Sequence, residues 1–226
     1  MNSLVIAVTL LAQATVPQEM KVALVEGPVA VVPASGGAEQ VPTVGAVLHP
    51  GDTVQTQADG RIEIDLPGGS LIRLGEGSRM TLSATNPQKS FSARLLIGNV
   101  WTKVRKLIAG ESFQIETENG VAGVRGTEFR VEAAEGQPDV LRVYEGAVQV
   151  DDQRVEPGAE LRFRRGQKAE LRRFDPQSER GHKFMDWVRS RPTRDGRPPG
   201  AIHRIEERNP ERENRQRERR DRRREK

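Results

Sequence analysis

Arg125 stands in the run Gly123-Val124-Arg125-Gly126-Thr127, with one glycine two positions before it and another directly after. A guanidinium carries a planar fork of donors that matches a carboxylate or several carbonyl oxygens. The glycines permit a positive φ or a close approach of backbone. Two roles fit this pattern. In the favoured one, the run builds a bulged strand corner that Arg125 ties down. In the other, Arg125 contacts an anion or a partner. Gly-x-x-Gly is also the spacing of the KH loop of RNA binders, but that loop needs helices on both sides. Here both flanks read as strands.

Other residue types that could do chemistry are sparse. Glu116 and Glu118 share one strand face, and Asp151-Asp152 lies between Val150 and Val155. Paired carboxylates serve glycosidases and calcium sites. The first pair reads as a solvated strand face and the second as a hairpin turn. Cysteine is absent, which removes thiol nucleophiles, thiolate metal sites and disulfides. His49, His182 and His203 are far apart, and none forms a ligand-spaced pair. P-loop, nucleophile-elbow, His-Glu-x-x-His and EF-hand patterns are missing. The stretch Trp101-Thr102-Lys103-Val104-Arg105-Lys106 mixes an aromatic with basic residues. It reads equally as a polyanion contact and as an alternating strand with a wet basic face. The chain is therefore expected not to be an enzyme, with no catalytic, cofactor-binding or metal-ligating residues and no cofactor.

Charge is unevenly spread. The 226 residues carry 36 Lys+Arg and 32 Asp+Glu, a formal net charge of +4. Residues 190–226 hold 14 basic and 8 acidic residues, so the rest is slightly acidic. A nearly neutral body is not a basic platform for nucleic acid. The hydrophobic fraction is 35%, and 22 Gly with 14 Pro make turns frequent.

The elements that must position these groups read mostly as strands. Residues 4–12 form a short apolar run followed by Ala12-Gln13-Ala14. That is too short to span a bilayer and suits a signal peptide over 1–14, although the first three residues carry no Lys or Arg. An N-terminal strand region follows over 15–43. From about Lys21 to Arg173 apolar residues recur with period two, as in Arg61-Ile62-Glu63-Ile64-Asp65-Leu66. Turn residues interrupt the pattern every 8–12 positions or so, which argues for an all-β sandwich, barrel or roll. Two loops resemble each other, Leu48-His49-Pro50-Gly51-Asp52 and Val155-Glu156-Pro157-Gly158-Ala159. A helix is expected over 176–189, inside a segment 174–191. Phe184, Trp187 and Val188 share its apolar face, Gly181 weakens it, and it caps the β domain or packs on its edge. Residues 192–226 read as a Pro/Gly linker and an Arg/Glu-rich tail that is disordered or a lone helix. Arg219, Arg220, Arg222, Arg223 and Arg224 near its end are the expected contact for a polyanion or acidic lipid.

The run from Phe113 to Val131, followed by Val140 to Val150, resembles the FecR protein domain family. The family core reads roughly Thr-x-x-Ala-Val-Ala-Gly-Val-Arg-Gly-Thr-x-Phe, then an apolar strand ending in Glu-Gly-x-Val. Gly123, Val124, Arg125, Gly126, Thr127, Phe129, Glu145 and Gly146 carry the match. Gly120 stands where the family usually has Ala. The earlier runs Gly51 to Thr56 and Gly69 to Leu74 fit in the same order, so the resemblance covers about 44–173. It implies a FecR-like β-sandwich or β-roll and a mainly structural role for the motif. Its namesake regulators carry a cytoplasmic anti-sigma segment, a membrane helix and a periplasmic part. Only the periplasmic β module is carried over here.

The expectation that follows is a non-enzymatic, exported protein in the periplasm or otherwise outside the cytoplasm. It would bind an unknown protein or cell-envelope component, and no transmembrane helix is expected. The alternatives are a periplasmic component of a sigma-factor regulatory system, and a polyanion or nucleic-acid binder acting through the tail. Nucleic acid is the less favoured partner.

Overall fold

The computed structural model describes residues 19–83, 90–193 and 199–200. The signal peptide expected at 1–14, the basic tail with Arg219 to Arg224, and residues 194–198 of the linker lie outside the described residues.

The period-two segments form sixteen strands among the described residues. The first eight are β1 (Met20–Glu26), β2 (Val29–Val32), β3 (Val47–Leu48), β4 (Thr53–Thr56), β5 (Arg61–Asp65), β6 (Leu71–Leu74), β7 (Arg79–Ser83) and β8 (Ser90–Lys103). The second eight are β9 (Ser112–Glu116), β10 (Val121–Val124), β11 (Glu128–Ala133), β12 (Asp139–Glu145), β13 (Val148–Val150), β14 (Gln153–Val155), β15 (Ala159–Phe163) and β16 (Glu170–Arg173). They make two sheets that share one strand. Sheet A runs β3-β1-β5-β6-β8-β11-β12-β15-β16. Sheet B runs β2-β4-β7-β8-β9-β10-β13-β14. The expectation of an all-β fold of many short strands holds.

The shared strand is β8, fourteen residues long. Its first half pairs with β7 and, in parallel, with β9. Its second half pairs with β6 and β11. Gly98, at φ +103, lies at the change of sheet. A Cβ there would lie 2.6 Å from that of Ser78 and closer still to other Ser78 atoms, so a larger residue is excluded. After β8 the chain alternates between sheets hairpin by hairpin: β9-β10 in B, β11-β12 in A, β13-β14 in B, β15-β16 in A. Every change of sheet needs a corner, and the corners carry the turn chemistry. The two look-alike Pro-Gly loops are equivalent turns, with Gly51 at φ +93 and Gly158 at φ +79. In each, an i to i+3 bond closes the turn, Asp52 N–H to His49 O and Ala159 N–H to Glu156 O.

The apolar side of both sheets forms one core that includes Ile62, Ile64, Leu74, Leu95, Val100, Phe129, Val143 and Leu161. A second cluster lies on the opposite face of sheet A. There the single helix of the described residues, α1 (Lys183–Arg189), buries Phe184, Met185, Trp187 and Val188 against Leu71, Trp101 and Tyr144. The helix is shorter than expected because Gly181 adopts φ +81 and breaks it. Pro176–Glu179 is a separate 3-10 turn. Seven residues cannot hold a helix alone in water, so packing on the sheet face holds α1. No described helix is long and apolar enough to cross a membrane.

That covered face carries a continuous cross-strand row, Glu63-Arg73-Trp101-Arg130-Arg142-Glu160-Arg172. Arg73 stacks over Trp101 at 5.0 Å and caps α1 by donating to the Val188 carbonyl at 2.8 Å. Trp101 is therefore fully buried. Lys103 and Arg105 are held by carboxylates, Glu128 and Glu145 for the first and Glu111 for the second. Trp101 is thus closed to a polyanion, and of the basic residues in this stretch Lys106 is the exposed one.

Candidate binding surface at the stacked corners

Three chain corners meet at one end of the molecule. Residues 104–106 lead β8 out of sheet A. Residues 125–127 carry the chain from β10 in sheet B to β11 in sheet A. Residues 146–147 carry it from β12 back to β13. The three are bound together by backbone groups. Val104 N–H donates to Thr127 O at 2.9 Å, and Thr127 N–H returns a bond to Val104 O at 3.2 Å. The buried Thr127 hydroxyl donates to Ala147 O at 2.9 Å. Thus Thr127 hydrogen-bonds to both neighbouring corners.

Two glycines make this stacking feasible. Gly126 has φ +118, and a Cβ there would lie 2.8 Å from the Lys106 Cα. Gly146 has φ +75, and a Cβ there would overlap the Gly126 carbonyl oxygen. Both need the left-handed region and the absence of a side chain. Val124 closes β10 and is buried. Phe129 is fully buried in β11, opposite Val143 and Thr102. Glu145 ends β12, with its carboxylate 3.7 Å from Lys103 Nζ. Gly123 lies in the middle of β10, between Gln114 and Gln149.

The structure differs from the sequence expectation at Arg125. The corner is tied by Thr127 and the glycines. Arg125 contributes only a backbone acceptor, its carbonyl receiving Leu107 N–H at 3.4 Å. Its side chain is exposed and makes no hydrogen bond or ion pair among the described residues. The physical reason is the alternation: Val124 points into the core, so the next side chain points out.

Two grooves flank this arginine. One, of about 430 Å³, is lined by Gln114, Gly123, Arg125, Gln149 and Arg154, among others. The other, of about 380 Å³, is lined by Lys103, Arg105, Lys106, Arg125 and Glu145, among others. Arg125, Gly126 and Thr127 form the wall between them. Carboxylates in the grooves are mostly engaged. Glu111 accepts two bonds from Arg105, at 2.9 and 2.6 Å, and these raise the Arg105 pKa. Glu128, buried, lies 3.6 Å from Lys103 Nζ and accepts from the Gly200 backbone N–H. Lys106, like Arg125, is exposed without a hydrogen bond or ion pair among the described residues. Sequence reasoning missed Gln114 and Gln149 as groove residues, whereas Lys106 belongs to the basic stretch it had singled out. The periodic positions of the two glutamines show that they face outward but not that three corners converge beside them.

The model of the FecR protein family matches residues 52–149, which span all three corners. Residues 52–149 are a FecR domain. The sheets extend past it on both sides, since β1 to β3 and β14 to β16 fall outside the match. Two crystal structures of a candidate anti-sigma factor from Parabacteroides distasonis ATCC 8503 share the fold, each with a TM-score of 0.50 at 16% identity. The likeness covers 61% of this chain and 64% of the other, so it spans less than two thirds of that protein. No curated protein matches the chain.

The other carboxylate pairs are separated or engaged. Glu116 ends β9 and pairs with Arg94 at 3.1 Å and Ser92 at 2.7 Å, which lowers its pKa, while Glu118 sits in the following turn. Asp151-Asp152 is the two-residue turn between β13 and β14, with Asp151 at φ +48. Among the described residues no group of three His, Asp or Glu is placed to hold a metal ion.

Proposed function

We propose that the chain is a non-enzymatic binding module that works outside the cytoplasm, in a signalling relay of the anti-sigma type. The observation that carries the binding reading is Arg125. It is exposed and unpaired at a corner held rigid by its neighbours, which is the construction of a recognition surface rather than of a proton-transfer site. The FecR domain and the fold shared with a candidate anti-sigma factor support the signalling part. The apolar run at residues 4–12 with Ala12-Gln13-Ala14 behind it supports export. Recognition would proceed by surface and charge complementarity without bond chemistry.

Deleting the gene and profiling transcripts tests the signalling reading. A defined set of transcripts should change and be restored by the wild-type chain. An unchanged profile under envelope stress and under altered nutrient supply would refute it. Fractionation with an intact mass tests export, which predicts an extracytoplasmic chain beginning at Thr15. The Arg-rich tail favours a second mode, electrostatic attachment to an anionic surface. It predicts release from that surface at raised salt.

A further inference from the structure

The glycines of the corner motif do different jobs. Gly126 and Gly146 are required by backbone geometry, as shown above. Gly123 is not: its φ lies outside the left-handed region. A Cβ there would meet only the Gln149 carbonyl oxygen, at 3.9 Å, an ordinary contact. Neither folding nor packing explains a glycine inside this strand, where it costs about 0.5–1 kcal/mol relative to alanine. Interior strand glycines also mark places where another backbone approaches closely.

Gly123 sits in the middle of a cross-strand row, Ser92-Gln114-Gly123-Gln149-Arg154, on the outer face of sheet B. The missing side chain leaves a trough between two glutamines. This trough belongs to the groove of about 430 Å³, which is within the range of ligand sites. Arg125 stands at its wall, two residues along the chain. Lys106 lines the groove on the other side of that wall. Both cations are unpaired among the described residues, whereas Glu111 is consumed by Arg105. Arg154 is exposed and bonded to Glu156 at 2.6 Å. The free charge at the groove is positive.

We propose that the Gly123 trough and Arg125 together bind an extended acidic segment of a partner protein. The trough admits the segment's backbone close to the sheet. Gln114 makes no side-chain hydrogen bond among the described residues and offers both a donor and an acceptor to a peptide group. Arg125 takes a carboxylate side chain through its fork. A free phosphate would use the cations but would need neither the trough nor the amides. This inference rests on the reading of the chain as a binding module. It does not rest on export or on signalling.

The test is a titration of the full-length, isotopically labelled protein with capped hexaglutamate, followed by amide NMR. Capped hexaglutamine and inorganic phosphate serve as comparison probes. The proposal predicts saturable shifts at Gln114, Gly123, Arg125 and Gln149, and little response there to hexaglutamine or phosphate. Arg125→Ala and Gly123→Leu should each weaken hexaglutamate binding about tenfold or more, as for loss of a charged hydrogen bond. Arg125→Ala alters an exposed side chain and keeps the test decisive should Gly123→Leu fail to fold. Shifts confined to 201–226, or binding insensitive to both substitutions, would overturn the proposal. So would an equal response to phosphate. A titration that succeeds beside an unchanged transcript profile would sink the signalling reading alone.

Discussion

Arg130 donates a hydrogen bond to Glu179 at 2.9 Å across 49 positions of chain, with both side chains almost wholly buried. The same carboxylate accepts from the Tyr144 hydroxyl at 2.8 Å and lies 3.3 Å from Arg189 Nη2 and 3.4 Å from Arg142 Nη1. Glu179 thus locks the segment after β16 onto sheet A. It sits in the 3-10 turn just before α1, so the position of the helix depends on it.

Removing that carboxylate would leave Arg130 buried with a lost partner. Breaking a buried pair from one side costs about 3–5 kcal/mol. Glu179→Ala should lower the urea midpoint accordingly, and hydrogen exchange should show lost protection across α1 before the β core. A loss below about 1 kcal/mol would show that the pair is not what holds the helix.

The glycines give a contrast that can be measured without knowing any ligand. Gly146→Ala puts a methyl group onto the Gly126 carbonyl at φ +75. Strain of this kind costs on the order of 1–3 kcal/mol. Gly123→Ala meets only an ordinary contact with the Gln149 carbonyl oxygen and should leave thermal stability unchanged or slightly raised. Equal destabilisation by both would contradict the division of roles.

Two buried carboxylates should titrate with opposite sign. Burial pushes the Asp139 pKa up, against hydrogen bonds from Thr117 and Asn119. The folded state then holds the proton more tightly than the unfolded one. Stability from this group is present at low pH and is lost as pH rises past the ordinary Asp value and through the raised one. Asp139→Asn should therefore raise the melting temperature at pH 7 but not near pH 3. Unchanged melting at both pH values would count against the buried-charge argument.

Glu160 is the reverse case. Burial pushes its pKa up, but Arg162, Arg142 and Arg172 outweigh this and hold it below the usual range. Its contribution is present above the unfolded pKa and lost as pH falls through the folded one. Glu160→Gln should destabilise at pH 7 and much less near pH 2, by less than a fully buried pair would, because Arg162 and Arg172 are about half exposed and screened by water. Equal loss at both would assign the effect to packing.

Much of the fold is legible in the sequence, because the period-two alternation, the Pro-Gly turns and the apolar face at Phe184, Trp187 and Val188 are local signals. The crossing of β8 is legible only in retrospect. Inward residues are odd-numbered at Ala93 and Leu95 and even-numbered at Val100 and Thr102, and the phase slips at Gly98. The arginine row is not legible. Arg73, Arg130 and Arg142 alternate with core residues as a wet face would, and only a helix that returns from far along the chain covers them. Arg125 stands out by its glycines, yet its freedom emerges only when Thr127 is seen to make the tie.

The most direct test of the central claim is made in the cell. A strain should carry Gly123→Leu at wild-type abundance, with the purified variant shown to be folded, and its transcripts should be compared with those of the gene deletion. The account predicts that the variant reproduces most of the deletion's transcript changes. A clear deletion phenotype beside wild-type transcription in the variant would contradict it.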